Sequence, residues 1–236
     1  MRKYVIGDDI RDIDWRASTK HQELIVKSWH PEQDRKILLL LDISRLSSIV
    51  INNESRLESQ IEACLLLTSL AIKAHDQIEI LLVSNKIEKS LQPSHKIDNL
   101  MQTLASYFIN VFSQFKEITW TDHIPYIKSR MKNNGIIIFI TPIDQNTYTN
   151  GLIKTALNLN KKHTIIIASV YKNEINAIKK VTNVYDKAAI ISSKLIRDEI
   201  KKKFTMNKIH IIEAEPNEFP SKLCDKYLEI KSKIIY

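Results

Sequence analysis

"RKILLLLDISRLSS", residues 35–48, decides the architecture. The unbroken apolar run from Ile37 to Leu41 leaves no polar side for water, so it reads as a buried core strand of the kind found inside parallel sheets. The run ends in a carboxylate, Asp42, with Ser44 two residues later. Open parallel sheets gather their working residues at the carboxyl ends of strands, so the same stretch that sets the fold also points to a site.

Beyond that strand the pattern alternates. Residues 54–74 carry Leu57, Ile61, Cys64, Leu65, Thr68 and Ile72 at spacings of three and four, the stripe of an amphipathic helix. "QIEILLVS" (77–84) reads as a second strand, residues 96–112 and 123–134 as helices, and "GIIIFITPID" (135–144) as a third core strand that Pro142 stops. A helix over 148–160, a fourth strand at 163–171, helices at 173–181 and 186–204, a fifth strand at 208–214 and a closing helix over 220–233 complete the series. This alternation predicts an α/β fold: a mostly parallel sheet with helices on both faces. With 236 residues and no repeat or linker, one large sheet domain over 35–236 is expected, preceded by a shorter segment over 1–34.

Lys and Arg number 35 against 27 Asp and Glu, a net charge of +8. Such an excess suits nucleic acid, an anionic membrane or an acidic partner, but the lysine runs at 161, 179 and 201 lie on separate helix-like segments and read as solvated faces. The two cysteines, Cys64 and Cys224, sit in helical patterns without metal-ligand spacing, which fits a reducing, cytoplasmic setting. The apolar runs stop short of the roughly 18 residues a membrane span needs, and "GDD" at 7–9 arrives too early for the apolar part of a signal peptide.

Several chemistries drop out. Gly7, Gly135 and Gly151 are the only glycines, too few and too scattered for a Walker loop, a dinucleotide fingerprint or a nucleophile elbow. A phosphoaspartyl enzyme of the haloacid dehalogenase type wants a second aspartate two residues after Asp42, where this chain has Ser44. The histidines at 21, 30, 75, 95, 123, 163 and 210 form no H-E-x-x-H and no i,i+4 pair, which argues against zinc.

What remains is a cation loop. The carboxyl edge would bring together Asp42, Ser44, Asp144 and, from the loop ahead of the third core strand, Thr121. A hard cation such as Mg²⁺ takes oxygen ligands in near-octahedral geometry and keeps several waters, and a D-x-S-x-S turn supplies oxygens by aiming alternate side chains into one pocket. Here the third position is Leu46, so one hydroxyl is missing, and Ser47 replaces it only if the loop shifts register. The site therefore reads as degenerate, with no cofactor or only weakly bound Mg²⁺, and with Asp42 capping the turn that follows it.

The opening stretch "YVIGDDIRDIDW", from Tyr4 to Trp15, crowds Asp8, Asp9, Asp12 and Asp14 around Arg11 and Gly7. Acids at those offsets on extended or turning backbone face different ways, so an ion-pair knot fits them better than a metal site. In that knot Arg11 pairs with one acid, Gly7 supplies the turn, and Ile13 and Trp15 pack the segment onto the sheet. A partner-docking surface is the other reading of the same residues.

The block from Arg2 to Leu46 resembles the signature of the bacterial family called domain of unknown function 58, in which Y-x-x-G-D-D-x-R-x-I-D-W precedes a von Willebrand factor A-like domain. The signature positions here are Tyr4, Gly7, Asp8, Asp9, Arg11, Asp14 and Trp15. "LNLNKKHTIIIASV" and "DKYLEIKSK" are similar to later segments of that family, in the same order. The resemblance implies a Rossmann-like von Willebrand A fold and a partner, a MoxR-type AAA+ ATPase, with which such proteins assemble or mature other protein complexes. Longer members carry transmembrane helices ahead of the signature, so any membrane attachment would come from segments outside this chain. A non-enzymatic interaction module is the function expected; a basic nucleic-acid-binding protein or metal-dependent nuclease is the alternative, and tight nucleic-acid binding is not expected.

Overall fold

The computed structural model describes residues 2–4, 13, 15, 18–19, 23–26, 35–51, 53–93, 100–171 and 183–233. The chain divides into two compact units, Met1–Gln33 and Asp34–Tyr236.

In the first unit, Arg2–Lys3 pairs antiparallel with Ile25–Val26. The Tyr4 amide donates to the Leu24 carbonyl at 2.8 Å, and the Ile25 amide donates to Ser18 Oγ at 2.9 Å. Ile13 is buried, whereas Trp15 is 62% exposed and is not the packing anchor its aromatic ring suggested. Gly7, Asp8, Asp9, Arg11, Asp12 and Asp14, and with them the ion-pair knot, lie outside the described residues.

The second unit is built on a six-stranded sheet. Its strands are β1 (Lys36–Asp42), β2 (Gln77–Val83), β3 (Ile87–Leu91), β4 (Ile136–Ile140), β5 (Thr164–Val170) and β6 (His210–Ala214). They lie in the order β6-β5-β4-β1-β2-β3, all parallel except β3, which runs antiparallel to β2. The helices are α1 (Arg56–Lys73), α2 (Leu100–Phe108), α3 (Ile124–Arg130), α4 (Leu152–Leu159), α5 (Val184–Met206) and α6 (Phe219–Lys233).

The unbroken apolar run of β1 is explained by its place at the centre. Ile37, Leu39 and Leu41 point into one core, with Ala63 and Leu67 of α1 and Leu104 of α2. Leu38 and Leu40 point into the other, with Ile127 of α3 and Ile200 and Phe204 of α5. A strand flanked by parallel neighbours and covered on both faces has no side to give to water.

Departures from the sequence reading are local. The antiparallel edge strand β3 was not expected, because "IEKSL" offers only Ile87 and Leu91 as apolar residues and both are half-exposed. The helix expected over 148–160 begins at Leu152: residues Gln145–Tyr148 form a separate 3₁₀ turn, and Gly151 breaks the path with φ of 76°. A side chain there would meet the Thr121 methyl at 2.7 Å, so glycine is required both for conformation and for space. The helix expected at 173–181 falls outside the described residues. Among the described residues, no helix is long and apolar enough to cross a membrane.

Candidate functional site at the carboxyl edge of the sheet

The chain runs β1, β2, β3 to one side and β4, β5, β6 to the other, so the strand order reverses between β1 and β4. In open α/β sheets the crevice above that reversal is where ligands settle. The parallel register that sets Leu41 beside Ile140 carries on past the strand ends and sets Asp42 beside Thr141.

Asp42 is 1% exposed, and both of its carboxylate oxygens are engaged. The Ser44 amide donates to Oδ1 at 2.8 Å, the bond of an aspartate that closes the turn after it. Thr141 Oγ1 donates to Oδ2 at 2.6 Å. Burial nonetheless pushes the Asp42 carboxyl above the usual range, against the pull of the Ser44 and Thr141 hydrogen bonds and of Arg56. Arg45–Ser48 then forms a 3₁₀ turn, and within it the Ser47 hydroxyl donates back to the Asp42 carbonyl at 2.6 Å.

Asp144 follows β4 and is half-buried. It caps its own 3₁₀ turn: Oδ1 accepts from the Asn146 amide at 3.0 Å, while the Asp144 amide donates to Thr147 Oγ1 at 2.9 Å. Its carboxyl is also raised by burial, and the Asn146 amide and Arg56 oppose the rise. Arg56, in the first turn of α1, donates from Nη1 to the Leu46 carbonyl at 2.7 Å and lies in the field of both Asp144 and Asp42. The chain thus brings its own cation to the pair of carboxylates.

Of the other expected residues, Ser44 is buried against Asp42. Thr121 stands in the 3₁₀ turn Trp120–His123, where its hydroxyl lies 3.4 Å from Asp122 Oδ1 and its methyl packs over Gly151. These contacts direct it toward the start of α4. Sequence reasoning missed Thr141 and Arg56. It also missed His123, whose Nε2 lies 3.2 Å from the Ser84 carbonyl and whose pKa burial lowers.

A divalent ion does not fit this donor set. Both Asp42 oxygens already accept from protein donors, the Ser47 hydroxyl is turned to a carbonyl, Leu46 has no side-chain oxygen, and Arg56 places a positive charge in the field of both carboxylates. Among the described residues, no three His, Cys, Asp or Glu side chains converge as metal ligands.

Two further loops close around the edge. The Gln114 amide donates to the Ile43 carbonyl at 2.6 Å, the Arg45 amide to the Lys116 carbonyl at 3.1 Å, and the Trp120 amide to the Asn150 carbonyl at 2.7 Å. Between them lies a cleft of about 190 Å³, lined by Ser44, Leu46, Lys116, Thr119, Asn146 and Thr149 among others. Small-molecule sites run from about 300 to 1,000 Å³, so this cleft is smaller than such sites.

A family model described as "Protein of unknown function DUF58" matches residues 1–202. The chain belongs to the DUF58 family. Solved structures agree with the von Willebrand A fold expected of a DUF58 chain. The conserved hypothetical protein BatB from Bacteroides thetaiotaomicron is similar with a TM-score of 0.52 at 13% identity, covering 85% of this chain and 98% of that one. The SpRpn10 VWA domain is similar with a TM-score of 0.50 at 13% identity, covering 83% and 94%. At such identities these likenesses speak for the fold alone. Comparison with curated proteins finds no significant match.

Proposed function

We propose that this DUF58 chain is a non-enzymatic protein-interaction module, working in the cytoplasm with a MoxR-type AAA+ ATPase in the assembly or maturation of a protein complex, and that the carboxyl edge of its sheet is the partner face. The observation that carries the reading is the construction of that edge. Loops from three parts of the chain are pinned by backbone hydrogen bonds around a small open cleft, above an aspartate whose oxygens are already satisfied. Residues on loops held by a rigid sheet are well placed for recognition. Among the described residues, the Ser47 hydroxyl donates to a carbonyl and the His123 ring lies against the Ser84 carbonyl, so neither is presented as a nucleophile or base. In this reading the edge works without a resident divalent ion, with Arg56 supplying the positive charge.

The nucleic-acid alternative draws less support. Several cations are paired with acids of the same chain, including Lys201 with Glu213, Lys222 with Glu218, Lys231 with Asp76 and Arg130 with Glu79.

The test is a binding assay between the purified chain and the MoxR-type ATPase encoded in the same genome. Asn146→Lys and Thr149→Lys alter the exposed cleft rim without touching the core, and each should weaken the complex about tenfold or more if the rim is central to the interface. Undiminished binding by both variants would remove this edge as the partner face, and failure of the unaltered chain to bind would remove the ATPase as the partner.

A further inference from the structure

The segment that joins α2 to α3 carries apolar residues of two kinds. Phe108 and Ile118 are buried and Val111 packs against the core, whereas Ile109, Phe112 and Phe115 are 73%, 72% and 91% exposed. The exposed residues recur every third position. They stand out while their neighbours satisfy the core, so the segment has not failed to find a place for its apolar side chains.

Nor is the backbone loose where the most exposed of them sits. The Gln114 amide is bonded to Ile43 and the Lys116 carbonyl to Arg45, so the residues on either side of Phe115 are both tied to the loop after β1. An aromatic ring held in water on an anchored backbone is preorganised for contact, which reduces the ordering cost of binding. Exposed apolar residues flanked by polar groups mark interaction sites. Lys116, the residue after Phe115, lines the edge cleft.

The local charges indicate what the ring would meet. Arg45 and Glu117 pair with each other at 3.0 Å. That leaves Lys116 as the cation of the loop with no acidic partner among the described residues. Ser44, Thr119, Asn146 and Thr149 line the adjoining cleft, offering directional hydrogen bonds that suit a peptide and would be idle against a lipid surface.

We propose that residues Ile109 to Lys116 form a docking ridge for a short acidic and apolar segment of a protein partner, with Phe112 and Phe115 as anchors and Lys116 as the counter-charge. The proposal deepens the reading of the carboxyl edge as the partner face and rests on it.

The experiment is selection of a displayed library of random linear peptides on the whole chain, followed by fluorescence anisotropy of the best synthetic peptide. The expected peptide places Asp or Glu beside aliphatic or aromatic residues. Phe112→Ser and Phe115→Ser should each weaken it about tenfold or more, as loss of an interface anchor does, and Lys116→Glu should weaken it further for more acidic peptides. Both phenylalanines are exposed, so these variants keep the fold. Peptides that lack acids, or a library that yields no enrichment, would overturn the proposal. So would flotation with vesicles of phosphatidylcholine and phosphatidylserine, or self-association of the chain, if Phe115→Ser abolished it. A peptide sensitive to Asn146→Lys but indifferent to Phe112→Ser and Phe115→Ser would refute the ridge and leave the edge as the partner face. Indifference to all of these would refute both.

Discussion

Thr141 donates a 2.6 Å hydrogen bond from its hydroxyl to Oδ2 of Asp42, 99 positions earlier in the chain. The bond crosses the point where strand order reverses and gives the second carboxylate oxygen a protein donor. With the Ser44 amide on Oδ1, it makes Asp42 a buried, satisfied acceptor.

Asparagine can reproduce that arrangement without charge, its carbonyl accepting from Ser44 and its amide donating to the Thr141 hydroxyl. Asp42→Asn is therefore expected to be neutral or stabilising at neutral pH. Asp42→Ala, which strands a buried amide and a hydroxyl, should cost about 2 kcal/mol or more. The sign of the pH effect follows from the raised carboxyl. A folded-state pKa above the unfolded value favours the folded protein at low pH, and that advantage is lost as pH rises through the folded value. Urea denaturation of the wild type and Asp42→Asn across the range from about pH 4 to 7 should show the variant gaining relative stability with rising pH. A relative loss would mean that the ionised carboxylate is a net stabiliser.

Arg56 should matter in the opposite sense. Arg56→Met removes the positive field at Asp42 and Asp144 and leaves the Leu46 carbonyl without its donor. Both carboxyl pKa values should then rise further. The variant should lose stability at neutral pH and recover part of it toward about pH 4, as the carboxyls take up protons. A loss that does not change with pH would assign Arg56 a packing role only.

At the opposite end of the sheet, buried Asp76 ties the closing helix to the turn before β2. It accepts from Lys231 Nζ at 2.9 Å, from the Arg35 amide at 3.3 Å and from the Tyr227 hydroxyl. Removing one partner of a buried ion pair is expensive, so Asp76→Ala should destabilise the domain by about 3 kcal/mol in thermal or urea unfolding. Tyr227→Phe, which deletes one of several donors, should cost about 1 kcal/mol. A wild-type melting temperature for Asp76→Ala would show that α6 is held by its apolar face alone.

The sheet was legible because its central strand has no polar position between Ile37 and Leu41, a pattern that only burial on both faces explains. The edge strand β3 was not, since a half-exposed "IEKSL" carries no clear period and is defined by its pairing with β2. Asp42 and Ser44 could be placed at the strand end from the strand itself. Thr141 could not, because its meaning depends on β4 lying beside β1, and that adjacency is a property of the sheet order rather than of any local segment. Arg56 was hidden for a related reason. At the start of an amphipathic helix an arginine reads as a solvated cation, and only the return of the Arg45–Ser48 turn brings the Leu46 carbonyl within its reach.

The central claim is that this edge is balanced from within, with Arg56 standing in the field of Asp42 and Asp144 where an ion would otherwise be needed. Calorimetric titration of Mg²⁺ and Mn²⁺ into the purified chain tests it most directly. The account predicts binding no tighter than about millimolar, the weak end of oxygen-ligand sites. A micromolar dissociation constant that Asp42→Asn abolishes would contradict it.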